Sequence, residues 1–270
     1  MGDRISRIVI VGGGSAGWLA AGVIAAEHRI DPDGPQPFEL LLIESPDVPT
    51  IGVGEGTWPS MRSTLERIGL SETDFIRECD ASFKQRTWFR NWQTGNGDTY
   101  SHPFSVPTGY SDTNLAPHWL ALNDAPQFAD AVTPQTALFA DCLAPKQITT
   151  PEYAFVVNYG YHLDAGKFAE LLRKHCTEHL GVKHIKANVS EVNAAENGDI
   201  RSVTTDSAGE IGGDLFIDCT GTKSLLLGEH FEVPFQSQQA HLFNDTALAA
   251  QVPYTEDDQA IQSCTHSTAQ

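Results

Sequence analysis

Arg7-Ile8-Val9-Ile10-Val11-Gly12-Gly13-Gly14-Ser15-Ala16-Gly17-Trp18 decides the fold. Its unbroken run of apolar, mostly β-branched residues lacks the alternation of a half-wet strand, so residues 7–11 read as a buried parallel strand. Gly12, Gly14 and Gly17 form G-x-G-x-x-G before an Ala- and Leu-rich helical run from Trp18 to His28. In such a turn the first glycine permits the bend, the second lets backbone approach a pyrophosphate, and the third lets helix pack on strand. Free N–H groups at the helix start favour an anionic ligand. A proline loop over residues 31–37 leads to a second buried strand, Phe38 to Ile43, closed by Glu44. Glu44 stands where a ribose-binding carboxylate belongs, further from Gly17 than the usual ~20 residues, and the proline loop explains the excess. The unit reads as a dinucleotide-binding βαβ; the alternative is a structural Gly turn with a solvent-exposed Glu44.

Composition bounds the rest. A chain of 270 residues with 40% hydrophobic content can bury a sizeable core. Its net charge of -18 argues against nucleic acid as a partner, and its acidic residues are scattered rather than blocked. No apolar run approaches the ~20 residues of a membrane helix, and the apolar start is too short and Gly-rich for a signal peptide. Met1-Gly2-Asp3-Arg4-Ile5-Ser6 fits a myristoylation pattern, but the first strand begins at once, which argues against an anchor. Cysteines 79, 142, 176, 219 and 264 form no C-x-x-C pair and suit a reducing cytoplasm.

Further along, Met61, Leu65 and Ile68 predict a helix over Ser60 to Ile68, and Ser71 with Asp74 predicts a capping box opening another. Asn91 to Pro151 is loop-rich and reads as a substrate-side insertion. A helix is expected over Asp164 to Leu180, stopped by Gly181, followed by strands His184 to Val192, Ile200 to Thr205 and Asp214 to Asp218. Asn197-Gly198 suits a hairpin turn. The last thirty residues show little pattern. A second glycine-rich stretch, Ile51 to Pro59, could lie over a cofactor. Asp214 to Gly221, a strand entering a polar Gly turn, has the form of returning strands in flavoproteins of the glutathione-reductase type.

Lys84 lies among Phe83, Trp88, Phe89 and Trp92. A lysine in an aromatic, poorly hydrated pocket can lose proton affinity or donate hydrogen bonds to a small electrophile. The alternative is a surface lysine whose stem covers apolar groups. Trp88 and Trp92 are expected in the core. His175-Cys176-Thr177-Glu178-His179 spells an inverted zinc-protease motif, but it falls in a helix's last turn with no third ligand, so no metal is expected. Cys219 reads as structurally buried rather than nucleophilic.

Taken in this order the segments resemble the flavin-dependent halogenases of the tryptophan halogenase family. Val11 to Trp18 resembles the family's opening, which adds Ser15 and Ala16 to Gly12, Gly14, Gly17 and Glu44 as cofactor-binding residues. Glu44-Ser45-Pro46 with Ile51-Gly52-Val53-Gly54-Glu55 resembles the flavin strap, adding Gly54 and Glu55; Gly56 and Trp58 depart from the usual Ala and aliphatic residue. Phe83-Lys84 matches the catalytic-lysine segment, and His102-Pro103-Phe104 a substrate-side tripeptide that makes His102 and Phe104 substrate contacts. Tyr161-His162-Leu163-Asp164-Ala165 and Asp214 to Leu227 also correspond.

The resemblance implies an α/β, Rossmann-like FAD-binding fold of the glutathione-reductase/monooxygenase type with a loop-rich substrate-side insertion. Residues 1–270 would be the N-terminal part of one larger flavoprotein. Its FAD-binding portion would comprise 1–90 and 160–230, its insertion 91–159, and the start of a C-terminal portion 231–270. FAD, used as FADH2 from a separate flavin reductase, would act with O2 and halide through a flavin hydroperoxide. Lys84 would guide the resulting hypohalous acid to tryptophan, indole or a related arene. A cytoplasmic protein without nucleic-acid or membrane partners is implied, with a homodimer admitted. The family's W-x-W-x-I-P motif and catalytic glutamate lie downstream and are absent here. Alternatives are a flavin-dependent aromatic monooxygenase and a non-catalytic flavin-binding fragment.

Overall fold

A computed structural model describes residues 4–28, 34, 37–48, 54–250, 252–253, 255 and 261–269. In chain order the strands are β1 (Arg7–Val11), β2 (Glu39–Glu44), β3 (Gly54–Gly56), β4 (Ser82–Lys84), β5 (Arg86–Arg90), β6 (Thr99–Pro103) and β7 (Gly160–Asp164). After them come β8 (Lys183–Lys186), β9 (Val189–Ala194), β10 (Ile200–Thr205), β11 (Gly209–Gly212), β12 (Leu215–Asp218) and β13 (Cys264–Thr268). The helices are α1 (Ser15–Glu27), α2 (Ser60–Arg67), α3 (Glu72–Glu78), α4 (Ala116–Leu120), α5 (Phe128–Val132), α6 (Gln135–Ala140) and α7 (Ala165–Glu178). The chain forms two compact units: Met1–Val53, Arg67–Leu70 and Ala165–Gln251 in the first; Gly54–Glu66, Ser71–Asp164 and Val252–Gln270 in the second.

The first unit has a Rossmann-type parallel sheet of order β12-β1-β2-β8. Both faces of its centre are buried, which is why β1 and β2 read as unbroken apolar runs. Alternation still assigns the faces. Val9, Val11, Leu41 and Ile43 pack with Val203 and Ile211 of an antiparallel β11-β10-β9 sheet. Leu42 lies on the other face, against Gly17 of α1. Val9, Ile10 and Leu42 are fully buried, each worth about 1.5–3 kcal/mol of apolar transfer. Gly22 lets α1 meet α7 closely: an added Cβ would stand 3.4 Å from Cys176 Sγ and 3.3 Å from Ile68 Cγ2.

The second unit holds two three-stranded sheets, β3-β7-β4 and β13-β5-β6, and the short helices α4 to α6. β4 hands over to β5 at Gln85, whose N–H bonds the Ser263 carbonyl at 2.7 Å and whose carbonyl accepts from Phe104 N at 3.1 Å. Ser71 caps α3 by accepting from Asp74 N at 3.2 Å. Glu152 adds to the cap: its carboxylate accepts from Glu72 N and Thr73 N, the first two N–H groups of the helix.

Several expectations are corrected. Residues 184–192 do not form one strand: β8 closes the parallel sheet, Ala187 N bonds the Glu44 carbonyl, and β9 enters the antiparallel sheet. The helix expected from Trp18 starts at Ser15, and the one expected from Asp164 starts at Ala165 because Asp164 ends β7. Strand β11 was not anticipated, since Gly flanks both ends of a short segment. Residues 91–151 contain β6 and three short helices, and the final thirty contain β13. Trp92 is not in the core: it is 53% exposed, and its indole N–H donates to the Ser267 carbonyl at 3.1 Å. The proline loop, apart from Gly34 and Pro37, and Ile51-Gly52-Val53 lie outside the described residues.

Candidate functional site

In the first unit, parallel pairing brings three strand ends together: Val11 pairs with Ile43 on one side and with Asp218 on the other. The glycine loop therefore sits between the residues after β2 and those after β12. Gly12 has a φ of +117°, and an added Cβ would stand 2.1 Å from the Cys219 carbonyl oxygen. At Gly17 the obstacle is the Gly12 carbonyl, 1.9 Å away, and at Gly13 it is the Glu44 side chain, 2.2 Å away. Gly14 differs: nothing lies within 4 Å of its Cβ position. The turn is thus closed on the protein side and open at Gly14, the N-cap of α1. No side chain caps that helix and no acidic residue occupies its first turn. The N–H groups of Ser15, Ala16 and Gly17 are free of intrahelical partners by position. A cradle of backbone donors with room above one glycine fits a diphosphate group.

Glu44 Oε2 lies 2.8 Å from His184 Nε2, and the His184 ring meets Trp18 edge-on at 5.1 Å. Burial pushes the His184 ring down despite the Glu44 charge. Asp218 closes the third strand end: its carboxylate accepts from Thr220 N and Oγ1 and from Leu226 N and Leu227 N. Burial raises its proton affinity, but these bonds outweigh it and hold the carboxyl below its usual value. Cys219 presents its carbonyl to Gly12, and burial pushes its thiol up, as suits a structural residue. His175 Nε2 donates to the Ile68 carbonyl at 2.8 Å.

In the second unit, β4 places Lys84 opposite Gly160 of β7, and β3 places Gly56 opposite His162. Lys84 is buried. Its Nζ lies 5.5 Å from the Phe104 ring centre and 5.8 Å from that of Trp58. Burial pushes the amine below the ordinary lysine value, against a smaller opposing pull from Cys264. No hydrogen bond or ion pair engages Nζ among the described residues. An added Cβ on Gly56 would stand 3.0 Å from Nζ, 3.4 Å from His162 Cδ2 and 3.5 Å from Thr265 Oγ1. His162 is pushed down to about 4 by burial first and the Lys84 charge second, so its ring is neutral near pH 7.

Trp58 is set by its neighbour Thr57, whose N–H bonds the Tyr161 carbonyl at 2.7 Å and whose Oγ1 accepts from Tyr161 N at 2.9 Å. β7 is in turn fixed by a buried carboxylate. Glu72 accepts from the hydroxyls of Tyr159 and Tyr161 at 2.6 Å and pairs with Lys146 at 2.6 Å. Burial raises the proton affinity of Glu72, but these partners hold it below its usual value. Arg62 bonds the carbonyls of Tyr153 and Tyr159 and the Asn158 side chain. Sequence reasoning missed this frame because its members lie far apart in the chain and match no motif.

The expected substrate contacts differ in setting. Phe104 is buried and faces Lys84, whereas His102 is exposed and reaches Trp58, 6.0 Å between ring centres. Both line a cavity of about 640 Å³ with Tyr100, Trp119 and Phe128, but Lys84 does not. In β3, Gly54 and Glu55 are exposed and pair with Asp164 and Leu163. Sequence reasoning noted Trp58 only as a departure; the structure sets it against Lys84, His102 and Phe104.

A family model described as tryptophan halogenase matches residues 7–270. The tryptophan 7-halogenase RebH of Lentzea aerocolonigenes is 32% identical over all of this chain and 52% of its own length. A solved tryptophan halogenase from Shewanella frigidimarina NCIMB 400 is 56% identical with a TM-score of 0.94, over 99% of this chain and 52% of that one. Tar14, a solved tryptophan C-6 flavin-dependent halogenase from taromycin biosynthesis, is 35% identical with a TM-score of 0.87, over 98% and 52%. The chain spans about half the length of the curated relatives it matches.

Proposed function

Because the chain belongs to the tryptophan halogenase family, we propose that it takes part in flavin-dependent halogenation of tryptophan, indole or a related electron-rich arene. The observation that carries the reading is Lys84: a buried amine with no carboxylate partner among the described residues, walled by aromatic rings. The backbone of Gly12, Gly14, Ser15, Ala16 and Gly17 would hold the FAD diphosphate and Glu44 its ribose, with Gly54 and Glu55 belonging to the strap. Bound reduced FAD, supplied by a separate reductase, would provide the electrons that convert O2 and halide to hypohalous acid. Residues 1–90 and 160–230 then form the FAD-binding portion, 91–159 the substrate-side insertion, and 231–270 the start of a C-terminal portion.

Lys84 acts on the oxidant in either of two ways. As an ammonium it donates hydrogen bonds to hypohalous acid; as an amine, favoured by burial, it takes the halogen onto nitrogen. Phe104 and Trp58 limit water around Nζ, which strengthens those bonds and slows loss of the oxidant. His162, neutral beside it, adds no second positive charge. A reaction with FAD, a flavin reductase, NADH, bromide or chloride, and tryptophan or indole tests the reading. Halogenated product is expected, and Lys84→Ala should lose it while still binding FAD. Hydroxylated product alone, or halogenation retained by that variant, would sink it. FAD bound without product would mark these residues as the cofactor-binding part of a larger catalyst.

A further inference from the structure

We propose that Trp58 is a self-modification site, the activated ring that receives active halogen from Lys84 when no substrate is present. The inference rests on Lys84 as halogen carrier and adds an acceptor within the chain itself. Among the rings described around Nζ, Phe104 is a plain phenyl group and buried. Trp58 is an indole, the same kind of electron-rich arene as the proposed substrate. It is 58% exposed and has its ring centre 5.8 Å from Nζ. Its orientation is set by two neighbours, His102 at 6.0 Å and Phe104 at 5.4 Å between ring centres, and by the paired Thr57. A held ring beside a held donor reacts as an intramolecular pair.

Trp92 supplies an internal control. It is 53% exposed, a value similar to that of Trp58, yet its contacts are Phe89 and the Ser267 carbonyl, with no amine against its ring among the described residues. Exposure alone therefore predicts similar reactivity for the two indoles, and proximity to Lys84 predicts a difference.

The step balances. The Lys84 amine attacks the halogen of hypohalous acid, forming an N–halogen bond and releasing water once hydroxide takes the amine's proton. An indole carbon of Trp58 then donates its electron pair to the halogen. The N–halogen bond breaks with its pair returning to nitrogen, and the ring proton passes to that nitrogen. Overall one hypohalous acid and one ring C–H give one ring C–halogen bond and water; the ring is oxidised and the halogen reduced. Where water then replaces halide on the pyrrole ring, the product carries oxygen and hydrogen halide leaves.

The test needs no flavin turnover. The chain is treated with graded hypobromite and digested, and halogen or oxygen addition is quantified at Trp58 and Trp92. Taking their ratio within each sample cancels oxidant consumed by cysteine and methionine. Trp58 is expected to be modified in excess by about tenfold or more. Lys84→Leu and Lys84→Gln, each checked for native circular dichroism, should bring the ratio near one, and added indole should protect Trp58. A ratio near one in the unsubstituted chain, or an unchanged excess in either folded variant, overturns the proposal. Failure of the flavin-driven reaction on tryptophan would strike the proposed activity and leave this ratio to be read separately.

Discussion

At Gly12 and Gly17 of the glycine loop, backbone stands where a side chain would go; beside Lys84, it is the free end of a side chain. Gly17 would press a Cβ to 1.9 Å from the Gly12 carbonyl, whereas Gly56 would press one to 3.0 Å from the Lys84 ammonium. The first obstacle belongs to a turn that cannot move without unmaking β1 and α1. The second sits on four rotatable bonds. One region is thus shaped by rigid close approach and the other by yielding packing on a rigid frame. Substitutions should separate them.

Gly17→Ala should show the largest effect, a loss of about 3 kcal/mol or more in urea unfolding together with loss of flavin binding. A loss below about 1 kcal/mol would remove the rigid half of the contrast. Glu72→Ala tests the frame behind the lysine pocket, since it leaves Lys146 and two tyrosine hydroxyls without their buried acceptor. A cost of about 3 kcal/mol is expected, and a much smaller one would mean that β7 holds without this carboxylate.

The effect of His162 depends on pH. Its folded pKa of about 4 lies below the ordinary 6.5, so the unfolded chain takes up the proton first as pH falls. Stability is full above pH 6.5 and declines towards pH 4, by up to about 2 kcal/mol once partial solvent access is discounted. His162→Asn should flatten that slope in denaturation midpoints across the window; a parallel slope would exclude His162 as its source. Gly56→Ala should show the smallest effect, under about 1 kcal/mol, because Nζ can withdraw. Halogen transfer should respond more than stability does, and an unfolded variant would show the pocket to be as rigid as the loop.

The same contrast governs what could be read from the sequence. The glycine loop is encoded locally: strand, turn and helix adjoin, and their determinants lie within twelve consecutive positions, Arg7 to Trp18. Its partner at Gly13, the Glu44 side chain, was placed in the same βαβ unit for its charge but not for its contact. The lysine pocket is assembled from Gly56, Trp58, Lys84, Phe104, His162 and Thr265, on segments that adjoin only after folding. Lys84 and Phe104 could be marked through family likeness, while Thr265 lay in a tail with no periodicity to mark it. Residues 184–192 misled because β8 and β9 are separated only by Ala187 and Asn188, and an apolar count does not reveal a change of sheet. Trp92 misled because an indole can satisfy its N–H at the surface and leave its ring half-wet.

β13 pairs in parallel with β5, Cys264 opposite Arg86, and Gln85 bonds Ser263 across 178 residues of chain. That pairing carries a timetable. At ~5–20 residues per second, the ribosome needs roughly 10–35 s between making Gln85 and making its partner. Throughout that interval one edge of β5 stays unpaired and Thr265 is missing from beside Lys84. The close approach of Gly17 to the Gly12 carbonyl can form once β2 has left the exit tunnel, and the Cys219 carbonyl beside Gly12 follows with β12, still ahead of β13. The nascent protein would thus have the makings of a cofactor cradle well before it has a finished lysine pocket, and the open β5 edge is where a folding chaperone has most to protect.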